Sequence, residues 1–253
     1  MPAATLARLV LLEARRGGLP WLALTAVALS VCLAAFLSQV ALTESLALQA
    51  AIVAGVLRAS AVFLVAAHVA GSVLREINDK GLELMLSLPL TRSAHYLGRL
   101  AGFAAVGAVL AVLFALPLLL WAPPVAVGAW ALSLALEAAL VAAAALFFSM
   151  SLAQPVPAIA ATAGFYLLGR AMGTVQAIAA GPLAEDTAVQ TIARWSLDAV
   201  ALLFPRLDAV TRTEWLLYGL PSPAAYAAAL GGLALYAVLL SAAGLFDFHR
   251  RSA

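Results

Sequence analysis

The sequence predicts an all-α polytopic membrane protein, and three observations carry that prediction. Mean hydropathy is +1.06 across the chain. Of its 253 residues 65% are hydrophobic and only 10% charged, whereas a soluble surface needs roughly 25%. The apolar residues also gather into runs of about 20, enough to cross some 30 Å of hydrocarbon as a helix. Without water, backbone N–H and C=O groups must pair within a helix or a closed barrel. The period-two alternation of a barrel strand is missing, so the runs are read as helices.

Taken in order, residues 1–19 form an N-terminal interfacial segment carrying Arg8, Arg15 and Arg16. Six spans follow, at about Pro20–Ala41, Ala50–Leu74, Leu97–Trp121, Ala126–Ser151, Pro155–Ala179 and Pro223–Phe246. All belong to one transmembrane domain, 1–253. Trp121–Gly128 is a tight turn whose proline pair blocks helix continuation, and Ser151–Pro157 is a second short turn. The long connection, 181–221, is not featureless. Asp186, Gln190, Arg194 and Asp198 recur every fourth residue, a polar stripe in which Arg194 and Asp198 can pair. After Pro205, Trp215 and Tyr218 suit a membrane interface. Two helices lying on, or dipping into, the outer face are expected there.

Orientation follows from the Lys and Arg at the span ends. With six spans and both termini inside, Arg8, Arg15, Arg16, Arg75, Lys80, Arg92, Arg99, Arg250 and Arg251 all share one side. Only Arg194, Arg206 and Arg212 oppose them. Both termini are therefore expected in the cytoplasm. The basic residues are those of a membrane topology, so a net charge of +2 implies no nucleic-acid partner. The single Cys32 excludes an internal disulfide framework and a multi-thiolate metal site. It is expected to pack as a small residue in a helix.

The most polar run of the N-terminal half is "LREINDKGLELMLSLPLTRSAHYLGRL", Leu74–Leu100. At about 100° per residue, Glu76, Asp79, Lys80, Glu83 and Ser87 share one face. Ile77, Leu82, Leu84, Met85, Leu86 and Leu88 fill the rest, giving an amphipathic cytoplasmic helix within 75–92 that Pro89 ends. Its stripe mixes signs, so adhesion to anionic lipid is a poor explanation and docking of a protein a better one.

The residues of this run also resemble the segment after the second span in ABC-2 type transporter permeases. There an acidic residue, Lys-Gly, Leu-Glu, a Leu/Ser run, Pro and Arg lead into a Gly-containing third span. The matching positions are Glu76, Lys80, Gly81, Leu82, Glu83, Leu84, Ser87, Pro89, Arg92, Tyr96, Gly98 and Arg99. The Thr that the family often has between Gly and Leu-Glu is absent here. The last span, ending in Phe246, Phe248, Arg250 and Arg251, is similar to the family's final helix. The resemblance implies a homodimeric permease of the bacterial inner membrane, in contact with lipid, that binds two ATPase subunits. The 75–92 helix would be the coupling helix seated in the ATPase, with Glu76, Asp79, Lys80, Gly81 and Glu83 as contacts and Ser151–Pro157 as a smaller one. The chain has no G-x-x-x-x-G-K-[ST] loop, so no cofactor is expected on it and ATP would sit on the partner.

Three charges fall inside spans: Arg58, Glu137 and Arg170. Such groups are costly and normally pair or face a cavity. They lie at similar depths, so Glu137 is expected to pair with Arg170, Arg58 or both, either as a static tie or as a polar lining of a transport path. His68 is expected to be packed rather than ligating, since no second ligand stands at helical spacing. The small-xxx-small run Gly169–Gly173 suits a helix contact or a dimer seam. A membrane-embedded enzyme is a weaker reading, because no nucleophile–base pair or metal cluster is visible. A secondary transporter or channel is weaker too, for want of an inverted repeat with broken helices. The 181–221 connection could cap an exit path or dock a periplasmic partner, and the substrate stays open.

Overall fold

The computed structural model describes residues 2–40, 45–79, 91–152, 154–179, 181 and 188–250. The described chain is helical without strands. Six of its helices are long and apolar enough to cross a membrane, the architecture of a multi-pass membrane protein.

Helix α1 (Pro2–Arg16) buries Leu6, Val10 and Ala14, four residues apart, and leaves Arg8, Arg15 and Arg16 exposed. Gly18, at φ +80°, turns the chain into α2 (Leu19–Val40). This helix meets α3 through Ala23 and Ala34, while Trp21, Leu29 and Phe36 stay exposed. Helix α3 (Ser45–Asn78) is 34 residues long and buries Val53, Leu57, Ala61 and Val65 at the spacing of one helical face. Helix α4 (Arg92–Ala115) is capped by Thr91, whose hydroxyl accepts from the Ala94 N–H. Pro117 turns its end into a 3-10 segment, Leu116–Leu120.

Helix α5 (Pro124–Leu152) is the centre of the bundle. Apart from Glu137 and three serines it is apolar on every face, as a buried helix should be, and Ala142 to Leu146 are all at most 1% exposed. Pro124 and Pro155 occupy the first positions of α5 and α6 (Pro155–Ala179), where a missing N–H costs nothing. Helix α7 (Ala188–Ala201), a 3-10 turn at Leu207–Ala209 and the short α8 (Glu214–Leu217) lead to α9 (Pro223–Arg250). Two tyrosines of α9 fix its position: Tyr226 donates to the Ala129 carbonyl at 2.8 Å and Tyr236 to the Leu203 carbonyl at 2.6 Å.

Small residues set the tightest crossings, as expected where lipid removes the hydrophobic drive between helices. A Cβ on Gly107 of α4 would lie 2.7 Å from the Ala138 Cβ of α5, and one on Gly102 would lie 2.7 Å from the Val10 Cβ of α1.

Several expectations change. The second span does not stop near Leu74, because Arg75 and Glu76 continue α3 and find partners on α1 and α4. Of the expected 75–92 helix, Arg75–Asn78 is thus the last turn of a span, and Lys80, Gly81, Glu83 and Pro89 lie outside the described residues. Helix α4 starts at Arg92 rather than Leu97. In the long connection the helix expected after Pro205 is reduced to four residues. Before it, Leu207 of the 3-10 turn and Val210 and Thr211 just after it are wholly buried. Arg194 and Asp198 do not pair with each other: Arg194 Nε donates to the Ala179 carbonyl at 2.9 Å, and Asp198 accepts from Gln176 at 2.8 Å. Both stitch α7 to α6. Trp215 is buried against Tyr226, 5.3 Å between ring centres, rather than facing an interface. Tyr218 is exposed. Cys32 is exposed on α2 rather than packed.

Candidate functional site

Two polar clusters interrupt the apolar bundle, one toward each end. The first lies where α5 and α6 meet the irregular segment 202–213. Glu137, on the central helix, is fully buried. Its Oε1 accepts the Tyr166 hydroxyl at 2.7 Å and lies 3.7 Å from Arg170 Nη1. Tyr166 and Arg170 are four residues apart on α6, so one face of that helix supplies both partners. The other carboxylate oxygen, Oε2, is buried with no partner.

Arg170 also reaches away from Glu137. Its Nη1 donates to the carbonyls of Leu207 at 2.6 Å and Val210 at 3.0 Å, and its Nη2 to Thr211 at 3.4 Å. Arg58, on α3, donates through Nη1 to the same Thr211 carbonyl at 2.9 Å. The structure therefore brings all three intramembrane charges to one place. Glu137 and Arg170 meet directly, while Arg58 joins them through a shared main-chain oxygen. Thr211 holds that oxygen in place at φ +50°, a left-handed conformation uncommon for a residue with a Cβ.

The glycines of Gly169–Gly173 serve this segment rather than a neighbouring span. A Cβ on Gly169 would meet the Pro205 carbonyl at 3.0 Å, and one on Gly173 would run into the Asp208 carboxylate. Asp208 is held from below by its own turn, its carbonyl accepting from Arg212 Nε at 2.8 Å. Arg212 in turn faces Glu214 at 3.6 Å. A cavity of about 540 Å³ opens here, lined by Arg58, Arg170, Asp208, Arg212 and Glu214 among others. The sequence singled out the three intramembrane charges and the Gly169–Gly173 run, but Tyr166, Asp208 and Thr211 carry no sequence signal that marks them as partners.

The second cluster gathers the helix ends that carry both chain termini. Glu13 of α1 accepts from Ser72 and Arg75 of α3, each at 2.7 Å. Arg99 of α4 donates to Ser72 at 3.1 Å and pairs with Glu76. His95 Nε2 lies 3.8 Å from Glu76, and its ring stacks on Phe248 of α9. Arg92 adds a bond to the His249 carbonyl at 3.4 Å. Glu76 is thus turned inward against α4, whereas Asp79, just past the end of α3, is exposed. His68 packs edge-on against Phe103, 5.8 Å between ring centres.

Among the described residues no group of three His, Cys, Asp or Glu side chains is placed to hold a metal ion. What both clusters can do is hold and exchange charge-assisted hydrogen bonds between helices. Comparison with protein-family models gives no match, and comparison with curated proteins gives none either.

Proposed function

We propose that this chain is the transmembrane permease subunit of an ATP-binding cassette exporter of the ABC-2 type. It would work as a homodimer in the bacterial inner membrane with both termini cytoplasmic, and two separate ATPase subunits would supply the energy. The observation that carries this reading is the Leu74–Leu100 run, whose Glu76, Lys80-Gly81, Leu82-Glu83, Pro89 and Arg92 resemble the family's coupling segment. Six long apolar helices are the topology that the reading needs. The ion pairs Glu13–Arg75 and Glu76–Arg99 support it further, because they join α1, α3 and α4 on both sides of the connection 79–91. A push on that connection would be felt by three helices at once.

In this reading Asp79, Lys80, Gly81 and Glu83 face the ATPase, while Glu76 transmits through Arg99 instead of touching the partner. The chain is purified in mild detergent from its native host at native stoichiometry. An ATPase subunit should accompany it, and Glu83→Lys should leave hydrolysis running while transport stops. A preparation that carries no ATPase would sink the reading and return the chain to the secondary-carrier or membrane-enzyme classes.

A further inference from the structure

The open cavity between α3, α6 and the 205–214 segment has unusual chemistry for an apolar bundle. Three arginines and two carboxylates line it, with Glu137 behind Arg170. Three of these five charges are paired: Arg212 and Glu214 with each other at 3.6 Å, and Arg170 with Glu137 at 3.7 Å. Two are not. Arg58 spends one N–H on the Thr211 carbonyl, although a guanidinium offers five donors in a planar fork. Asp208 has its Oδ1 buried without a partner, and Gly173 leaves the room its carboxylate fills. A second cavity of about 320 Å³ shares Asp208 and Gly173 with it.

The Thr211 carbonyl is the telling atom. It holds two guanidinium groups side by side, at 2.9 and 3.4 Å, at the wall of the cavity that both line, and each keeps N–H donors that the main chain does not use. Once an anion takes those remaining donors from the cavity side, the unpaired charge left in the cavity is Asp208, which calls for a cation with N–H donors. From this arrangement we infer that the cavity binds a zwitterion, with an anionic oxygen group held by Arg58 and Arg170 and an ammonium held by Asp208. The volume is that of a small-ligand site. Two sources share this chemistry: the headgroup of an aminophospholipid and a free amino-carboxylate such as a short peptide. Binding needs no ATPase, so this inference and the permease reading stand or fall on separate results.

Native mass spectrometry of the purified full-length chain, with thermal melting alongside, tests the inference. The probes are phosphatidylethanolamine, phosphatidylcholine, phosphatidylglycerol and glycylglycine. Phosphatidylethanolamine or glycylglycine should be retained and should raise the melting temperature. Phosphatidylcholine, which has no N–H, and phosphatidylglycerol, which has no cation, should do so less. Arg58→Gln should weaken the favoured probe about tenfold, the loss of one charge-assisted contact, and Arg58→Lys should restore part of it. Asp208→Asn keeps the shape beside Gly173 and should abolish the preference for phosphatidylethanolamine over phosphatidylglycerol. If glycylglycine alone shows these dependences, the ligand is a soluble zwitterion; if phosphatidylethanolamine does, it is lipid. The inference is overturned if no probe is favoured, or if the preference survives both substitutions. It is overturned equally if Asp208→Asn lowers stability and leaves the preference intact, since that is what a purely structural carboxylate would do.

Discussion

Removing Arg170 should cost far more than removing the charge it faces, and the difference can be worked from the structure. At 3.7 Å and an effective dielectric constant of about 20, the Glu137–Arg170 attraction is about 4.5 kcal/mol before desolvation. Arg170→Met strands a fully buried carboxylate with one donor, the Tyr166 hydroxyl. It also takes a donor from three carbonyls, although Leu207 keeps the Val210 N–H and Thr211 keeps Arg58. Stranding a buried charge costs about 3–5 kcal/mol. Glu137→Gln is gentler: it keeps an acceptor for Tyr166, removes the carboxylate's desolvation cost and leaves Arg170 on its carbonyls, so about 1–2 kcal/mol is expected. In the double variant no charge is stranded. It should therefore be more stable than the sum of the single losses allows, by about 2–3 kcal/mol. Equilibrium unfolding in mixed micelles, followed by circular dichroism, supplies the cycle. Losses that add to within about 0.5 kcal/mol would refute the argument, because they would mean that Glu137 is not held as an anion by Arg170.

Two further outcomes follow from the end of the bundle that carries the termini. Arg99→Gln should destabilise by about 3–5 kcal/mol because it removes the buried partner of Glu76. Arg75→Gln should cost under about 1 kcal/mol, since Arg75 is 64% exposed beside Glu13; equal melting shifts would contradict the assignment of Arg99 as the inner partner. Gly244→Ala places a methyl group against the Tyr96 hydroxyl and should cost about 1–3 kcal/mol by overpacking. The Tyr96 hydroxyl has no hydrogen-bond partner, so Tyr96→Phe should be well tolerated alone and should recover most of that loss. Thermal melting of the single and double variants reads this directly, and an unrescued Gly244→Ala would count against the packing.

The spans were legible in sequence because their signal is composition over length, which needs no knowledge of neighbours. Where α3 ends was not. Arg75 and Glu76 look like the edge of a polar linker, since hydropathy counts a charge as a reason to leave the membrane. In the fold each has a counter-charge on another helix, Glu13 or Arg99, and the backbone goes on as helix through both. The helical wheel placed Glu76 on a shared polar face with Asp79 and had no means of knowing that α4 lies against part of that face. Cys32 shows the converse: an apolar run predicts packing for a small residue, yet α2 touches the bundle on one side only.

The intramembrane arginines and the irregular segment after Pro205 explain each other, which is why neither could be read alone. At about 1.5 Å per residue, Arg170 lies about 14 Å inside α6 from its Ala179 end, and Arg58 about 20 Å inside α3 from Ser45. A cation that deep asks for acceptors, and sequence offered only Glu137 as a candidate. Backbone outside helices asks for donors, and is tolerated within a bundle only where protein supplies them. Leu207 and Val210 drive the segment inward as wholly buried apolar side chains, which carries their carbonyls with them. Arg170 and Arg58 then meet the carbonyls of residues 207, 210 and 211, and Gly169 and Gly173 give the segment room to lie against α6. Arginines that hydropathy scores as defects in two spans are, in the fold, the donors that let a non-helical segment enter the bundle.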